Sequence, residues 1–209
     1  MNVLNLFINP RRFFGDQAVY RNKILTVLAT WFFGMEIAIT EIDRRLLPSL
    51  AFAKNGVPNQ AIELVVSSWH TFWATVVFGG VFAAALGWVV AGWWYGIRLK
   101  WSGAKSPDAL RVRKVFVFQE LIYVLPLLAL AIAESMVFAT YKEAWRAGFL
   151  WTGAPLFLFF VLSCRASFSG ATTAFVVSRS RAMVWFVALP ILTYLLALGF
   201  VIYIALWKR

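Results

Sequence analysis

Five apolar runs constrain this chain more than any motif in it. Residues 71–97, 115–133 and 182–207 contain long ones, and 24–39 and 147–164 are nearly as clean. A helix rises 1.5 Å per residue, so roughly 20 apolar residues cross a hydrocarbon layer about 30 Å thick. Five such segments in 209 residues leave loops too short for an independent folded module. The expected fold is all-α: a polytopic transmembrane helical bundle with spans at about 24–40, 71–97, 115–139, 147–166 and 182–207. An interfacial segment, residues 1–23, precedes the bundle, which takes up 24–209.

Composition bears on partners. The chain is 62% hydrophobic with only 14% charged residues, yet its formal net charge is +11. In a soluble protein that excess would suggest nucleic acid. Here the cations flank apolar spans, so anionic lipid headgroups and membrane orientation account for them and no nucleic-acid partner is expected. Val3, Leu4, Leu6, Phe7 and Ile8 precede the arginines and no small-residue cleavage site follows, unlike a cleavable signal peptide. One cysteine, Cys164, and one histidine, His70, supply neither a disulfide nor a metal set, and no cofactor is expected.

The first segment carries Asn9-Pro10-Arg11-Arg12-Phe13-Phe14. Lying at a membrane surface, it would turn Phe13 and Phe14 inward and Arg11 and Arg12 toward phosphate. The second span is dense in small residues. Gly80 and Ala84 repeat a four-residue spacing, Gly87 continues it with Ala83 and Ala91, and Gly92-Trp93-Trp94-Tyr95-Gly96 is a GxxxG. Such a ridge lets another helix backbone approach closely, within the chain or from a second copy, and in a five-helix protein the internal contact is the expected one.

Lys and Arg set the orientation. With the N-terminus cytoplasmic, 13 of them fall on the inner side and 7 on the outer, the arrangement the positive-inside rule prefers. Tryptophans then gather near both interfaces: Trp93, Trp94, Trp101 and Trp185 at the inner, Trp69, Trp73, Trp145, Trp151 and Trp207 at the outer. The expected topology is N-inside, C-outside.

Several of these segments together resemble the Yip1 family of five-span membrane proteins, in its bacterial branch. The carriers are Asn9-Pro10-Arg11-Arg12-Phe13, the glycine-rich second span ending Gly92-Trp93-Trp94-Tyr95-Gly96, and the basic stretch before Arg113. The third span centred on Pro126, and Val177-Ser178-Arg179-Ser180-Arg181-Ala182 leading into a span with Pro190, complete the set. The resemblance implies a helical bundle with a cytoplasmic N-terminus, placed in a bacterial inner membrane. Eukaryotic members act in vesicle trafficking with Rab-type GTPases. This chain has neither their long N-terminal region nor their Asp-Leu-Tyr-Gly-Pro and Gly-Tyr elements, so that partnership is not carried over.

Acids inside the spans need a physical account, because a charge at bilayer mid-depth costs about 2.5–3.5 kcal/mol or more unless paired or hydrated. Glu36, Glu120 and Glu134 are the candidates, with Arg165 as a cation in the fourth span. Glu120 and Glu134 point within about 40° of each other and lie about 21 Å apart along an ideal helix, with Pro126 between them. Neither is expected at the centre of its span. The simpler expectation is two ion pairs near opposite interfaces: Glu120 with Arg165, and Glu36 near Glu134 and Arg44/Arg45. The functional alternative is a polar line through the bundle. Glu63 and His70, one heptad apart, share a face on a continuous helix and suit an interfacial hydrogen bond. Ser163, Cys164, Ser167 and Ser169 form a polar cluster, but no Ser/His/Asp set can be assembled around them and the only His lies at the other side.

The inventory therefore points away from an enzyme. The first functional expectation is a non-enzymatic membrane adaptor or organiser, working through helix and lipid contacts. Its partners would be anionic lipids at the inner face and a membrane protein or second copy. The alternative is a small carrier or channel that moves a proton, ion or lipid past the intramembrane glutamates. Against it stands the absence of an internal repeat.

Overall fold

The computed structural model describes residues 3–51, 60–148 and 153–207, and every element among them is helical. Residues 52–59, between the first two spans, residues 149–152 with the expected outer-interface Trp151, and Lys208-Arg209 lie outside the described residues. Five helices are long and apolar enough to cross a membrane. They are α4 (Lys23–Ala51), α6–α7 (Trp69–Ala74 and Gly80–Trp101), α8 (Ala109–Val137), α10 (Gly153–Ala174) and α11–α12 (Arg179–Met183 and Leu189–Trp207). Shorter helices gather at the bundle's two ends: α1 (Leu4–Ile8), α2 (Pro10–Gly15) and α3 (Gln17–Arg21) at one, α5 (Gln60–Val66) and α9 (Tyr141–Gly148) at the other.

Several helices run further than the apolar runs predict. Helix α4 does not end at Glu41. Glu41 pairs with Arg44 at 2.8 Å and Arg45 at 2.7 Å, the i,i+3 and i,i+4 spacings that support a helix. Helix α8 begins at Ala109 instead of 115, because the Asp108 carboxylate accepts from the backbone N–H groups of Leu110 and Arg111 and caps it. Helix α10 passes through Arg165 to Ala174, so the expected end at 166 is corrected. Helix α7 stops after Trp101 at Gly103, whose φ of +104° is the left-handed cap. The Ala104 N–H bonds back to the Leu99 carbonyl at 3.0 Å.

Two of the long helices widen to i→i+5 bonding, over Thr75–Gly79 and Val184–Ala188. The second lies just before Pro190, which lacks the N–H that its preceding turn would use. In the first, the Val77 carbonyl accepts from the Trp31 indole N–H of α4 at 3.2 Å.

The small-residue ridge is spent inside the chain. A Cβ on Gly34 of α4 would collide with the Gly80 carbonyl oxygen and with the Ala84 backbone nitrogen, so the two backbones touch there. Gly87 faces the Phe33 and Ile37 side chains of α4. Gly92 and Gly96 turn to α8 instead, against Arg113 and Val112. Helix α8 is the central strut, packed by α4, α7 and α10. It continues through Pro126 without a break.

At the N-terminus the expected lipid-facing orientation of Phe13 and Phe14 is corrected. Phe13 and Phe14 are buried in the protein, not turned to lipid. Phe13 meets Phe118 edge-on at 5.8 Å, and Phe14 lies over Gly170 beside Val115. The segment closes the end of the bundle because Asn9, Asp16 and Asn22 cap successive helix starts and fold it back. Arg11 and Arg12 remain exposed, as do the apolar Leu4 and Ile8.

Candidate functional site

A cavity of about 310 Å³ opens where all five long helices meet, within the usual size of a small-ligand site. Helix α4 contributes Glu36 and Thr40, and α8 contributes Gln119, Glu120 and Tyr123. Helix α7 supplies Trp94, Tyr95 and Arg98, α10 supplies Ser163, Cys164 and Ser167, and the fifth helix supplies Phe186, Pro190 and Tyr194. The mouth lies on the flank of the bundle, since the lining residues Thr40 and Trp94 are exposed there and neither sits at a helix end.

The wall is polar on one side. Arg98 stands in the last turn of α7, its guanidinium 4.5 Å from the Phe186 ring centroid and 5.1 Å from that of Tyr95. These two rings hold the cation from below, a contact worth about 0.5–2 kcal/mol. Among the described residues no carbonyl or carboxylate accepts a hydrogen bond from it, and no acid lies within 4 Å. Glu120 lies deeper, about 9 Å past Lys114 along an ideal helix. It accepts a 2.6 Å bond from the Gln119 side-chain amide. Glu36 enters from α4 and accepts from the Thr40 hydroxyl at 3.1 Å. Glu120 feels the charge of both Glu36 and Arg98.

Buried polar atoms in proteins are nearly always partnered, and an orphan needs a reason. Four buried side-chain polar atoms among the described residues lack a partner: Arg98 Nε, Gln119 Oε1, Ser167 Oγ and Arg111 Nε. The first three belong to residues that line this one cavity. Gln119 and Ser167 are 3% and 2% exposed, so bulk solvent does not serve them directly.

The four residues singled out for an intramembrane polar site separate. Glu36 and Glu120 share the cavity, while Glu134 and Arg165 are not among its lining residues. The expected Glu120–Arg165 pair is corrected: Arg165 is exposed on the outside of α10, and Arg98 is the cation that faces Glu120. The expected approach of Glu36 to Arg44 and Arg45 is also corrected, since both arginines are held by Glu41. Glu120 lies close to the midpoint of α8, because that helix starts earlier than the apolar run. Arg98 was hidden in the sequence by the basic stretch it opens. Gln119 was hidden by being uncharged, although a Gln-Glu pair in an apolar run is a readable signal.

A separate polar group ties the other end. The Tyr141 hydroxyl donates to Asp43 at 2.6 Å, and Lys142 reaches Glu63 at 2.7 Å. Burial, reinforced by the adjoining Asp43 carboxylate, raises the Tyr141 pKa and keeps its proton in place. The Glu63–His70 face does not form, because the chain turns between α5 and α6 and the Ser68 hydroxyl caps the new helix. At the N-terminal end, burial pushes the Tyr20 phenol up to about 12 despite the Arg111 guanidinium 4.8 Å over its ring. A broader recess of about 410 Å³ beside it is lined by the 103–108 loop, Arg111 and Phe175. No group of three or more metal-ligating side chains occurs among the described residues.

No protein-family model, curated protein or solved structure matches the chain.

Proposed function

We propose that this protein is a five-span, non-enzymatic integral membrane protein that binds a polar ligand inside its bundle and carries it into or across the membrane. The observation that carries the reading is the convergence of unpartnered Arg98, Gln119 and Ser167 atoms on one internal cavity shared with Glu36 and Glu120. An intramembrane ionisable group is a functional site by default, and here three such groups share one space.

Membrane insertion is supported by the fifth helix, only 6% of whose most apolar window is buried against the rest of the chain. Leu192, Leu195, Leu196 and Phe200 stand exposed along it, a surface suited to lipid and not to water. The N-inside, C-outside orientation in a bacterial inner membrane is retained as part of the proposal, as is the Yip1-like relationship. Exposed Arg11 and Arg12 and the Arg111 recess suit anionic headgroups at the inner face.

The carrier reading is preferred to the adaptor reading for a specific reason. The small-residue ridge, which a second copy could also have used, is occupied by α4 and α8 of the same chain. Reconstitution into vesicles tests the choice. Flux of protons, ions or labelled phospholipid that falls about tenfold or more in Glu120→Gln, and not in Glu134→Gln, is the expected result. Wild-type vesicles that pass none of these would return the protein to the adaptor class.

A further inference from the structure

Resting on the carrier reading, we propose that the cavity takes the headgroup of a phospholipid bearing a primary ammonium, such as phosphatidylethanolamine.

The charge pattern narrows the ligand first. Arg98 attracts an anionic group, and Glu36 with Glu120 attracts a cationic one. A group carrying both signs satisfies all three. The anionic part belongs at Arg98, in the last turn of α7, where the guanidinium has all its donors free of protein acceptors among the described residues. The ammonium belongs deeper, between Glu120 and Glu36.

The orphan atoms then choose the kind of cation. Gln119 Oε1 only accepts hydrogen bonds, and its Nε2 is already committed to Glu120. A primary ammonium supplies three N–H donors, enough for Gln119, Glu120 and Glu36. A trimethylammonium supplies none, and would leave the glutamine oxygen buried and unpaired. The discrimination is one of hydrogen-bond count, not of size.

The mouth selects a lipid over a free solute. It lies on the flank of the bundle, between exposed Trp94 and the aromatic group formed by Tyr194 with Phe157 and Phe160. A headgroup entering sideways keeps its acyl chains among the exposed apolar side chains outside.

The test uses the full chain, purified in a maltoside detergent, with lipid adducts read by native mass spectrometry. Three probes are titrated: dioctanoyl phosphatidylethanolamine, the matching phosphatidylcholine, and free phosphoethanolamine. The ethanolamine lipid is expected to be retained about tenfold more strongly than the choline lipid, the ratio equivalent to ~1.4 kcal/mol. Phosphoethanolamine is expected to bind at least about tenfold more weakly than its lipid. Glu120→Gln and Gln119→Leu should each abolish the preference, and Glu134→Gln, outside the cavity, should keep it. Equal retention of the two lipids overturns the inference, as does phosphoethanolamine binding as tightly as the lipid, or preference surviving in both cavity variants. Vesicle flux without an amine preference overturns this inference alone. Amine preference without flux overturns the carrier reading alone.

Discussion

The hydroxyl of Tyr95 donates a 3.0 Å hydrogen bond to the backbone carbonyl of Ser167, joining the second long helix to the fourth across the floor of the cavity. Tyr95 is fully buried, and its ring also supports the Arg98 guanidinium. Tyr95→Phe keeps the ring and removes the bond. The expected loss is about 0.5–1.5 kcal/mol, seen as a lower midpoint of thermal unfolding in detergent. Arg98→Lys should leave that midpoint nearly unchanged while weakening ligand retention, because an ammonium does not reproduce the guanidinium fork. A fall in stability in Arg98→Lys with unchanged retention would make Arg98 a packing residue.

Gly34 and Gly80 bring two helix backbones into contact. Gly34→Ala should force α4 and α7 apart at a cost of about 1–3 kcal/mol, the range for overfilled cores. Gly79→Ala, one residue from Gly80 but facing open space, should be neutral or slightly stabilising. Thermal unfolding of the two variants side by side measures the difference. Equal midpoints would show that this close approach does not hold the bundle.

The N-terminal segment belongs to the fold. Phe14 is fully buried, so Phe14→Ala should cost about 3–5 kcal/mol. Arg11→Ala with Arg12→Ala should leave stability within about 0.5 kcal/mol, since both are exposed. The double variant should instead bind anionic vesicles less well. If the arginine pair destabilises the protein more than Phe14→Ala does, the phenylalanines do not plug the bundle end.

Tyr20 sets a pH dependence whose sign follows from burial. Its phenol is held at about 12 in the folded chain and titrates near 10 when unfolded. Between these values the folded state holds the proton and the unfolded state does not, so stability falls as pH rises from 10 to 12. The tyrosine contributes ~2–3 kcal/mol to that fall, which is complete only above the folded value. Tyr20→Phe should flatten the slope by that amount, measured as unfolding midpoint against pH. An unchanged slope would place the titration elsewhere.

The far end of the bundle separates a buried bond from a surface pair. Tyr141→Phe leaves Asp43 without its 2.6 Å donor and should cost about 1–3 kcal/mol. Lys142→Met removes a pair whose side chains are 30% and 33% exposed, worth no more than about 1 kcal/mol. The reverse order of unfolding midpoints would contradict this account.

The sequence by itself determined that the chain is a helical bundle with five segments able to cross a membrane. Apolar run length and helical rise decide that without knowledge of any neighbour. It also marked Glu36 and Glu120 as costly residues, because an acid in an apolar run is visible one residue at a time. What it did not decide is which groups meet. Arg98 belongs to a basic connection in the sequence and to an internal cavity in the fold, since the Gly103 cap sets the end of α7 beyond it. Phe13 and Phe14 have the pattern of lipid-facing residues, and only packing against Phe118 and Gly170 placed them inside. The same glycine ridge suits a partner chain or a neighbouring helix, and the contact of Gly34 with Gly80 chose the neighbour. Depth along a helix is local and legible. The azimuth at which five helices face one another depends on all the side chains between them, and tertiary structure alone settled it.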